Sequence, residues 1–449
     1  MLQLDQVPDL NLQDGSCASL SARSCLSTHL LIHPLPMNRR SFLVTASSLT
    51  LMQLLAGCNR ASTAGVEVRL LEDSVPLQVL REFQRQVRSS QAINFSMSSQ
   101  LADLFDLLQT WREKANGQQD DRPSRPFFRP RAAAPQQVAN LMTLGDYWLT
   151  PAIQQNLIQP LDVEEIPGWE QLAEQEIWQT LVRRNQQGEP SETGEVWAAP
   201  YRWGTLMIAY RRDRLEENGI PEPTDWQDLW QPALQRRISL PDSPRSVIGL
   251  TLKHLGRSAN TEDLTTLPNL LTELEALHQQ TKFYSSEAYL QPLILGDTWM
   301  AVGWSTEILQ VVERNQRIGA VVPAAGTLLT ADLWVRPAVT ANQETTPRPG
   351  AEQANSEQAN SEQPSIDLSS LLREWIAFFW QPSIATQLSL LSFAASPIFT
   401  GVDPAQIPAA LANTPLLPSP EVLQASEFLL PLSDDAIDQY QQVWLQVRQ

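Results

Sequence analysis

The chain has 449 residues, and its 32 Lys and Arg residues against 50 Asp and Glu residues give a formal net charge of −18. This charge argues against a nucleic-acid partner, because phosphate binding requires a cluster of Lys and Arg on the surface. The length predicts two or three domains, the 42% hydrophobic content indicates a globular protein, and the absence of any run of about 20 apolar residues excludes a polytopic membrane protein.

Residue types that support nucleophilic or metal chemistry are scarce in this sequence. The cysteines stand at positions 17, 25 and 58, and the histidines at positions 29, 33, 254 and 278. If the N-terminal segment is removed, as argued next, only His254 and His278 remain, which excludes a structural zinc site, a disulfide framework and a cysteine nucleophile. No GxxxxGK(S/T) loop and no GxGxxG turn occurs. We therefore expect a protein that is not an enzyme and that holds no cofactor or metal.

Residues 37–57 have the three-part layout of an export signal. An arginine pair at 39–40 forms a charged start, residues 42–55 are apolar, and small residues precede Cys58. The arginine pair followed by Ser-Phe-Leu resembles the twin-arginine export motif, and Leu-Ala-Gly-Cys resembles the lipobox of bacterial lipoproteins. That resemblance implies that Cys58 is acylated and begins the mature chain, with residues 58–65 as a tether to the lipid. The alternative is a buried N-terminal helix with an incidental cysteine.

Residues 1–36 precede this signal, are polar and have no helical period. We interpret them as a mis-called extension, with translation starting at Met37. A genuine cytoplasmic extension is the alternative that the sequence leaves open.

The first elements predicted after the tether alternate between strands and helices. Residues 66–71 alternate apolar and charged side chains as a strand does, residues 77–87 have helical spacing, residues 93–95 predict a second strand and residues 101–111 a second helix. This β-α-β-α order predicts a parallel sheet with helices on both faces. Residues 118–137 contain four prolines and predict an exposed insertion.

Further strands and helices are predicted along the rest of the chain. Asp146, Thr224 and Ser243 are each expected to cap a helix, and Pro244 occupies the first position of the third one. Residues 342–365 include a repeated EQANS sequence and predict a floppy surface loop. The remaining predicted elements are strands at 138–144, 197–210, 238–240 and 298–305 and helices at 244–255, 307–314, 368–380 and 384–391.

Six stretches of the chain occur in an order that resembles one protein family. One of them, PYRWGTLMIAY at 200–210, is similar to the P-Y-x-W-G-T-x-x-I-x-Y stretch of bacterial extracellular solute-binding proteins of the polyamine (spermidine/putrescine) type. Any one such motif is weak, but six in the family order are specific. The other five are GDYW at 145–148, TDWQDLW at 224–230, DSPRSVIGLTLKHLG at 242–256, MAVGWSTE at 300–307 and VVPAAGTLLTAD at 321–332.

The resemblance implies an α/β chain with a two-lobed, type II-like periplasmic-binding-protein fold, whose discontinuous lobes close by a hinge around one small ligand. It assigns residues 66–200 and 331–385 to the first lobe and residues 201–330 and 386–449 to the second. It also implies a lipid-anchored monomer on the periplasmic side of the cytoplasmic membrane, which captures a polyamine-like amine and delivers it to an ABC permease.

The resemblance also assigns residues to the binding site. A polyamine needs carboxylates for its ammonium groups and aromatic faces for its methylenes. Carried over by position, Tyr147 matches an aromatic contact, Trp304 matches the tryptophan that lies against the polyamine, and Asp332 matches a carboxylate that binds an ammonium. Glu307 stands near a family aspartate. The further candidates, in motif positions near the cleft, are Asp73, Asp146, Trp203, Ser243 and Ser246.

Several of these candidates have a purely structural alternative. Asp146 and Ser243 are good helix caps, Trp203 fits the core of a lobe, and Glu307 fits a first-turn charge at a helix N-terminus.

The sequence departs from the family pattern at the acidic positions. Ser243 and Ser246 stand where the family has two acids, and Thr330 stands where it has a tryptophan. Two charge-assisted hydrogen bonds of about 1.5–3 kcal/mol each are thereby removed. The expected ligand is therefore a polyamine, a smaller or less charged amine, or an unrelated solute.

Two other functions fit the same scaffold, because a fold does not fix a function. One is a periplasmic hydrolase that uses Asp332 and Glu307 as a carboxylate pair. The other is a scaffold lipoprotein whose cleft is closed and binds nothing.

Overall fold

The computed structural model describes residues 66–87, 93–117, 137–339, 368–412 and 414–449. These residues fall within one compact unit that spans residues 62–449. Three sets of predictions lie outside the described residues: the extension, export signal, Cys58 and tether before residue 66, the insertion up to residue 136, and the low-complexity loop at 342–365.

Thirteen strands occur in the described residues, and most of them join one mixed sheet. The strands are β1 Val66–Leu71, β2 Ile93–Ser98, β3 Leu141–Gly145, β4 Ile158–Gln159, β5 Arg183–Arg184, β6 Glu195–Val196, β7 Ala199–Arg211, β8 Ile238–Leu240, β9 Thr281–Tyr284, β10 Met300–Trp304, β11 Ile318–Val321, β12 Leu328–Pro337 and β13 Glu427–Phe428. The main sheet has the order β2-β1-β3-β12-β7-β10-β8-β9, with β11 beside β7 and with β4 and β13 beside β12. β5 and β6 pair separately.

Fifteen α-helices in the described residues surround this sheet. They are α1 Leu77–Gln86, α2 Leu101–Ala115, α3 Leu149–Gln154, α4 Trp169–Ala173, α5 Glu176–Val182, α6 Arg212–Glu217, α7 Pro244–His254, α8 Leu270–Gln280, α9 Leu290–Leu295, α10 Ser305–Arg314, α11 Leu368–Phe379, α12 Pro382–Ser392, α13 Ala409–Ala412, α14 Pro420–Gln424 and α15 Asp434–Val447.

The predicted β-α-β-α start of the chain is confirmed. β1 has the predicted bounds, and it pairs in parallel with both β2 and β3. In α1, the buried side chains are Val79, Leu80 and Phe83, which share one face of the helix because residues three and four apart are neighbours there. The local sequence thus determines which faces of these elements are buried and which are exposed.

Of the three predicted helix caps, one is confirmed and two are wrong. Ser243 caps α7, since its hydroxyl accepts the backbone N–H of Ser246 at 3.3 Å. The turn Trp226–Trp230 is capped by Asp225 in a capping box with Asp228, and Thr224 lies one residue before it. Asp146 does not cap either, because its carboxylate is directed to another strand, as described below.

Two long antiparallel strands, β7 and β12, connect the two halves of the sheet. The first half of β7 pairs with β12, whereas its second half pairs with β10 and β11. β12 in turn pairs with β3 beyond Ala331. The two crossover strands therefore lie side by side at the boundary between the halves, where Gly204 faces Thr330. This is the arrangement expected for a hinge between two lobes.

Two hydrophobic clusters form the core. The first contains the buried residues of α1, α2, β1 and β3, and extends through Leu388 and Leu416. The second lies against α7 and α8 and includes Tyr440 and Trp444 of α15. Residues beyond position 385, where the first lobe was expected to end, thus still belong to the first cluster. The C-terminal helix α15 packs on the second cluster.

Candidate functional site

Four of the predicted site residues stand at or just after the ends of strands. Asp146 and Tyr147 follow β3, Trp304 ends β10, and Ser243 follows β8 by three residues. β10 and β8 are parallel, so their carboxyl ends meet at one edge of the second half of the sheet. Ligands of open α/β sheets bind outside the carboxyl ends of the strands. Asp146, Tyr147, Ser243 and Trp304 therefore lie at carboxyl ends of strands, and their role in ligand binding stays a prediction.

Asp146 links β3 to the crossover strand β12. Its Oδ1 accepts the Thr330 hydroxyl at 3.0 Å and the backbone N–H of Ala331 at 3.2 Å. Burial raises the pKa of Asp146 to about 6, against the lowering effect of these hydrogen bonds, and the negative charge of Asp332 raises it further. Its negative charge is therefore poorly solvated, and no cation of the described residues lies within ion-pair distance of it.

Asp332 already has a counter-ion within the protein. Its Oδ2 accepts the Arg202 Nε at 2.5 Å, and the two side chains are only 13% and 8% exposed. The two residues face each other in the β12–β7 ladder, next to a register shift between Asp332 and Leu333. Burial alone would lower the pKa of Arg202, but the adjacent carboxylate raises it above the ordinary value. Asp332 is thus held as half of a buried ion pair.

Gly204 on β7 allows the start of α10 to lie close to the crossover strand β12. A Cβ at this position would lie 2.6 Å from the Ser305 Oγ and 3.9 Å from a methyl carbon of Thr330. The start of α10 can approach the crossover strands only because this residue has no side chain. The same hydroxyl of Ser305 accepts the backbone N–H of Thr205 at 3.1 Å. These contacts fix the first turn of α10 beside the strand segment that holds Asp146.

Trp304 and Glu307 are positioned by a tyrosine that the sequence analysis did not identify. The Tyr289 hydroxyl donates to the Glu307 carboxylate and accepts the backbone N–H of Trp304 at 3.3 Å. Burial raises the pKa of Glu307 above the ordinary value, and it also raises that of Tyr289. A Cβ at Gly303 would lie 2.0 Å from the Tyr289 ring, so the glycine makes room for it. Glu307 is therefore more than a first-turn charge, because it orders the β10–α10 junction.

Tyr147 and the start of α7 provide the exposed part of the site. Tyr147 is 66% exposed, and Arg245 of α7 interacts with it electrostatically. Ser243 and Ser246 lie one on each side of Arg245, with their hydroxyl oxygens 3.0 Å apart. The first turn of α7 thus carries two adjacent hydroxyl groups just after the carboxyl end of β8.

Two candidates are placed differently. Trp203 is buried, and its indole N–H donates to the Ser396 carbonyl at 3.3 Å, which fits the alternative that it belongs to the core. Asp73 is exposed after β1 and has a left-handed backbone with φ of 60°. No contact joins Asp73 to the residues around Asp146 in the described part of the chain.

Three residues of the site were missed by the sequence analysis: Arg202, Tyr289 and Thr330 as a hydrogen-bond donor. Arg202 and Thr330 lie inside the motifs at 200–210 and 321–332, so the pairing of those two motifs as neighbouring strands would have identified both. Tyr289 lies outside every motif, and no signal in the sequence points to it.

The described residues lack two other features, a cluster of metal ligands and a membrane-spanning helix. They contain no group of three or more His, Cys, Asp or Glu side chains able to hold a metal ion. Within them, no helix combines the length and the apolar character needed to cross a bilayer. A surface depression of about 950 Å³ lies between α1, the loop at 165–171 and α11, and none of the predicted site residues lines it.

Asp146→Asn is expected to stabilise the protein at pH 8 by on the order of 2 kcal/mol. The amide keeps an acceptor for Thr330 and Ala331 and removes a desolvated charge. Because the folded-state pKa is raised to about 6, the native carboxyl contributes stability below about pH 4 that is lost as the pH rises through 6. Urea unfolding between pH 4 and 8 should show a difference that grows with pH. A pH-independent difference, or one equal to that of the exposed control Asp106→Asn, would contradict this.

Comparison with known families agrees with the sequence motifs. The family model described as bacterial extracellular solute-binding protein matches residues 130–347. A putrescine/cadaverine-binding protein of Pseudomonas aeruginosa is 30% identical over 158 residues, which are 32% of this chain and 43% of the relative. A spermidine/putrescine-binding periplasmic protein of Salmonella typhimurium is 22% identical over 205 residues, 46% of this chain and 55% of the relative. The chain thus spans about half the length of these relatives.

Solved structures show the same fold. The spermidine/putrescine ABC transporter substrate-binding protein of Streptococcus pneumoniae superposes with a TM-score of 0.65 at 19% identity, covering 86% of this chain and 99% of that one. A lipoprotein of Treponema pallidum superposes with a TM-score of 0.56 at 14% identity, covering 85% and 98%. The two-lobed periplasmic-binding-protein fold and the resemblance to solute-binding proteins of the polyamine type are therefore confirmed.

Proposed function

We propose that this chain, which is similar to bacterial extracellular solute-binding proteins over residues 130–347, is the solute-binding component of an ABC importer. It captures a small amine between its two lobes and delivers it unchanged to a permease in the cytoplasmic membrane. It acts as a monomer on the periplasmic side of that membrane, exported by the signal at 37–57 and held there by lipid on Cys58.

The observation that supports solute capture is the convergence of both lobes at the crossover strands. Asp146 of the first lobe bonds to Thr330 on β12, and Gly204 on β7 lies against Ser305 at the start of α10. Rotation of the lobes about these two strands would open or close the space between Tyr147 and Trp304. Hinge closure around a ligand is the general mode of action of such two-lobed proteins.

Solute capture is tested directly with the purified full chain. A protein that binds a solute only in its native state has a higher melting temperature when the solute is present. Mass spectrometry should identify a small amine that co-purifies, and the same amine added to stripped protein should raise the melting temperature and be recovered intact. Conversion of the amine would support the hydrolase alternative, and the absence of any bound or binding solute would support the closed scaffold.

Trp304→Ala is expected to weaken amine binding at least tenfold, since the half-buried indole stands at the β10–α10 junction. The melting temperature of the empty protein should change by no more than about 2 °C, because the ring is only partly buried against the second core cluster. Calorimetric titration with n-butylamine and putrescine gives the dissociation constants. Trp299→Ala is the matched control, because Trp299 precedes the other end of β10. A large loss of stability in Trp304→Ala with unchanged affinity would show that Trp304 is a core residue.

Cys58→Ala is expected to release the protein from the membrane fraction and to abolish labelling by radioactive palmitate. A single cysteine at the predicted cleavage site provides the acylation point, and stable anchoring needs more than one chain on it. Ser62→Ala, in the tether that follows Cys58, is the matched control and should keep both properties. Membrane retention and labelling of Cys58→Ala would contradict the proposed anchor.

A further inference from the structure

We propose that the interlobe site accepts a solute with a single ammonium group, bound by Asp146, and discriminates against diamines and longer polyamines. This inference rests on the proposed function, because it names the charge of the solute that the same site takes. It follows from which carboxylates near the crossover strands already have a bonding partner within the protein.

One carboxylate of the site is unavailable to a ligand. Asp332 is bonded to the Arg202 guanidinium at 2.5 Å, with both side chains largely buried. A ligand ammonium would have to displace Arg202 and leave a buried guanidinium without its carboxylate, which is strongly unfavourable. The pair is held in register on two neighbouring strands, so it cannot separate without distorting the ladder.

A second carboxylate, Glu307, is committed to its own neighbour. Its carboxylate accepts the Tyr289 hydroxyl, although the residue as a whole is exposed. Tyr289 in turn holds the backbone of Trp304. Recruiting Glu307 to an ammonium would therefore disturb the aromatic residue that is expected to contact the ligand.

Asp146, unlike Asp332, has no ion-pair partner among the described residues. Its hydrogen bonds come from a neutral hydroxyl and a backbone amide. Arg184 acts on it only from beyond ion-pair distance and is itself buried, with its Nη1 unpartnered among the described residues. An ammonium placed on Asp146 would supply the missing positive charge, since charge-assisted hydrogen bonds are the strong ones. The exposed Tyr147 ring, one residue later, offers a face for the attached carbon chain.

The first turn of α7, in the second lobe, disfavours the binding of a second ammonium group. The Arg245 guanidinium donates to the carbonyls of Ala259 and Leu430, the Asn260 side chain and the Tyr440 hydroxyl. All four acceptors are neutral, and the Glu427 carboxylate acts on this charge without a direct bond. The N-terminus of α7 adds a partial positive charge, and Ser243 and Ser246 contribute only hydroxyls. A neutral or anionic ligand end fits here, and a cationic one does not.

The proposal is tested on the unsubstituted full chain with four probes of graded charge. Calorimetric titration at pH 7.5 with n-butylamine, 4-aminobutyrate, putrescine and spermidine should show at least one single-ammonium probe binding at least tenfold more tightly than putrescine and spermidine. Equal or tighter binding of putrescine or spermidine would overturn the inference and leave the proposed function standing. A co-purified, binding solute without an amine would overturn both the inference and the amine as the captured solute, and would leave solute capture itself standing. If no probe binds and nothing co-purifies, the proposed function itself fails.

Two variants of one position isolate the effect of charge. Ser243→Asp keeps a side-chain acceptor for the N–H of Ser246, and Ser243→Asn keeps it without the charge. Ser243→Asp should bind putrescine at least tenfold more tightly than Ser243→Asn does, because the two variants differ in charge at this position. Asp146→Asn should lose the binding of the single-ammonium probe at least tenfold. Equal putrescine affinity in the two Ser243 variants, or unchanged binding by Asp146→Asn, would overturn the inference.

Discussion

Asp332→Asn is expected to lower the free energy of unfolding by about 3–5 kcal/mol. The substitution leaves the Arg202 guanidinium, whose side chain is 8% exposed, without the carboxylate that lies 2.5 Å from its Nε. A buried charge that loses its partner keeps its desolvation penalty and loses the attraction that offset it. Urea unfolding of the empty protein, with the same slope in both proteins, measures this loss.

The control is an ion pair of similar length on the surface. Glu217→Gln breaks the contact between Arg214 and Glu217, whose side chains are 41% and 58% exposed, and should cost less than about 1 kcal/mol. The double substitution of Arg202 by Met and Asp332 by Leu should be less destabilising than Asp332→Asn, because no unpaired charge remains. If Asp332→Asn loses no more stability than Glu217→Gln, the pair is not the buried contact described here.

The same pair changes the meaning of the family resemblance at this position. The sequence motif predicts that Asp332 binds an ammonium, and that role remains a prediction. In the structure, the carboxylate is already bonded to Arg202. A weaker affinity of Asp332→Asn for an amine would therefore have two causes, loss of a ligand contact and loss of the folded geometry, and only the unfolding measurement separates them.

Local features of this fold could be predicted from the sequence because local chemistry determines them. The apolar spacing of residues 77–87 is enough to predict α1, and Ser243 before Pro244 is enough to predict the start of α7. Where two capping residues are adjacent, as Thr224 and Asp225 are, the sequence does not distinguish them. The structure shows that the second one caps, because its partner Asp228 is placed three residues later.

The contacts of the candidate site could not be predicted, because they depend on strand register. Asp146 and Thr330 are 184 positions apart, and Arg202 and Asp332 are 130 positions apart. A slip of one residue in the β12–β7 ladder would turn Asp332 to the other face of the sheet. The irregularity that sets this register lies between Asp332 and Leu333, and no local sequence pattern predicts it. The motifs therefore name candidate residues, whose role in binding stays a prediction, and leave open which of them are bonded to each other.

Trp375→Ala is expected to lower the free energy of unfolding by about 3–5 kcal/mol. Trp375 of α11 is 1% exposed and lies at the centre of an aromatic cluster in the first core. Its ring centroid is 4.7 Å from that of Phe83, 4.9 Å from Phe379, 5.2 Å from Phe95 and 5.4 Å from Trp334. Truncation removes edge-to-face contacts of about 0.5–1.5 kcal/mol each in addition to the buried area, and leaves a cavity that four rings held apart by their own strands and helices cannot fill.

Trp375→Phe is the matched control, because it keeps a ring in the cluster and removes the indole N–H. That N–H is buried and has no hydrogen-bond partner among the described residues, so its loss relieves a desolvation cost of about 1–3 kcal/mol that offsets part of the lost packing. The phenylalanine variant should therefore lose less than half of the stability that the alanine variant loses. Because the cluster joins α1 and β2 to the returning helix α11, thermal unfolding of Trp375→Ala should also become less cooperative, with the first core melting before the second. Equal losses in the two variants would mean that the ring contacts a phenylalanine can keep do not hold α11 to the first core.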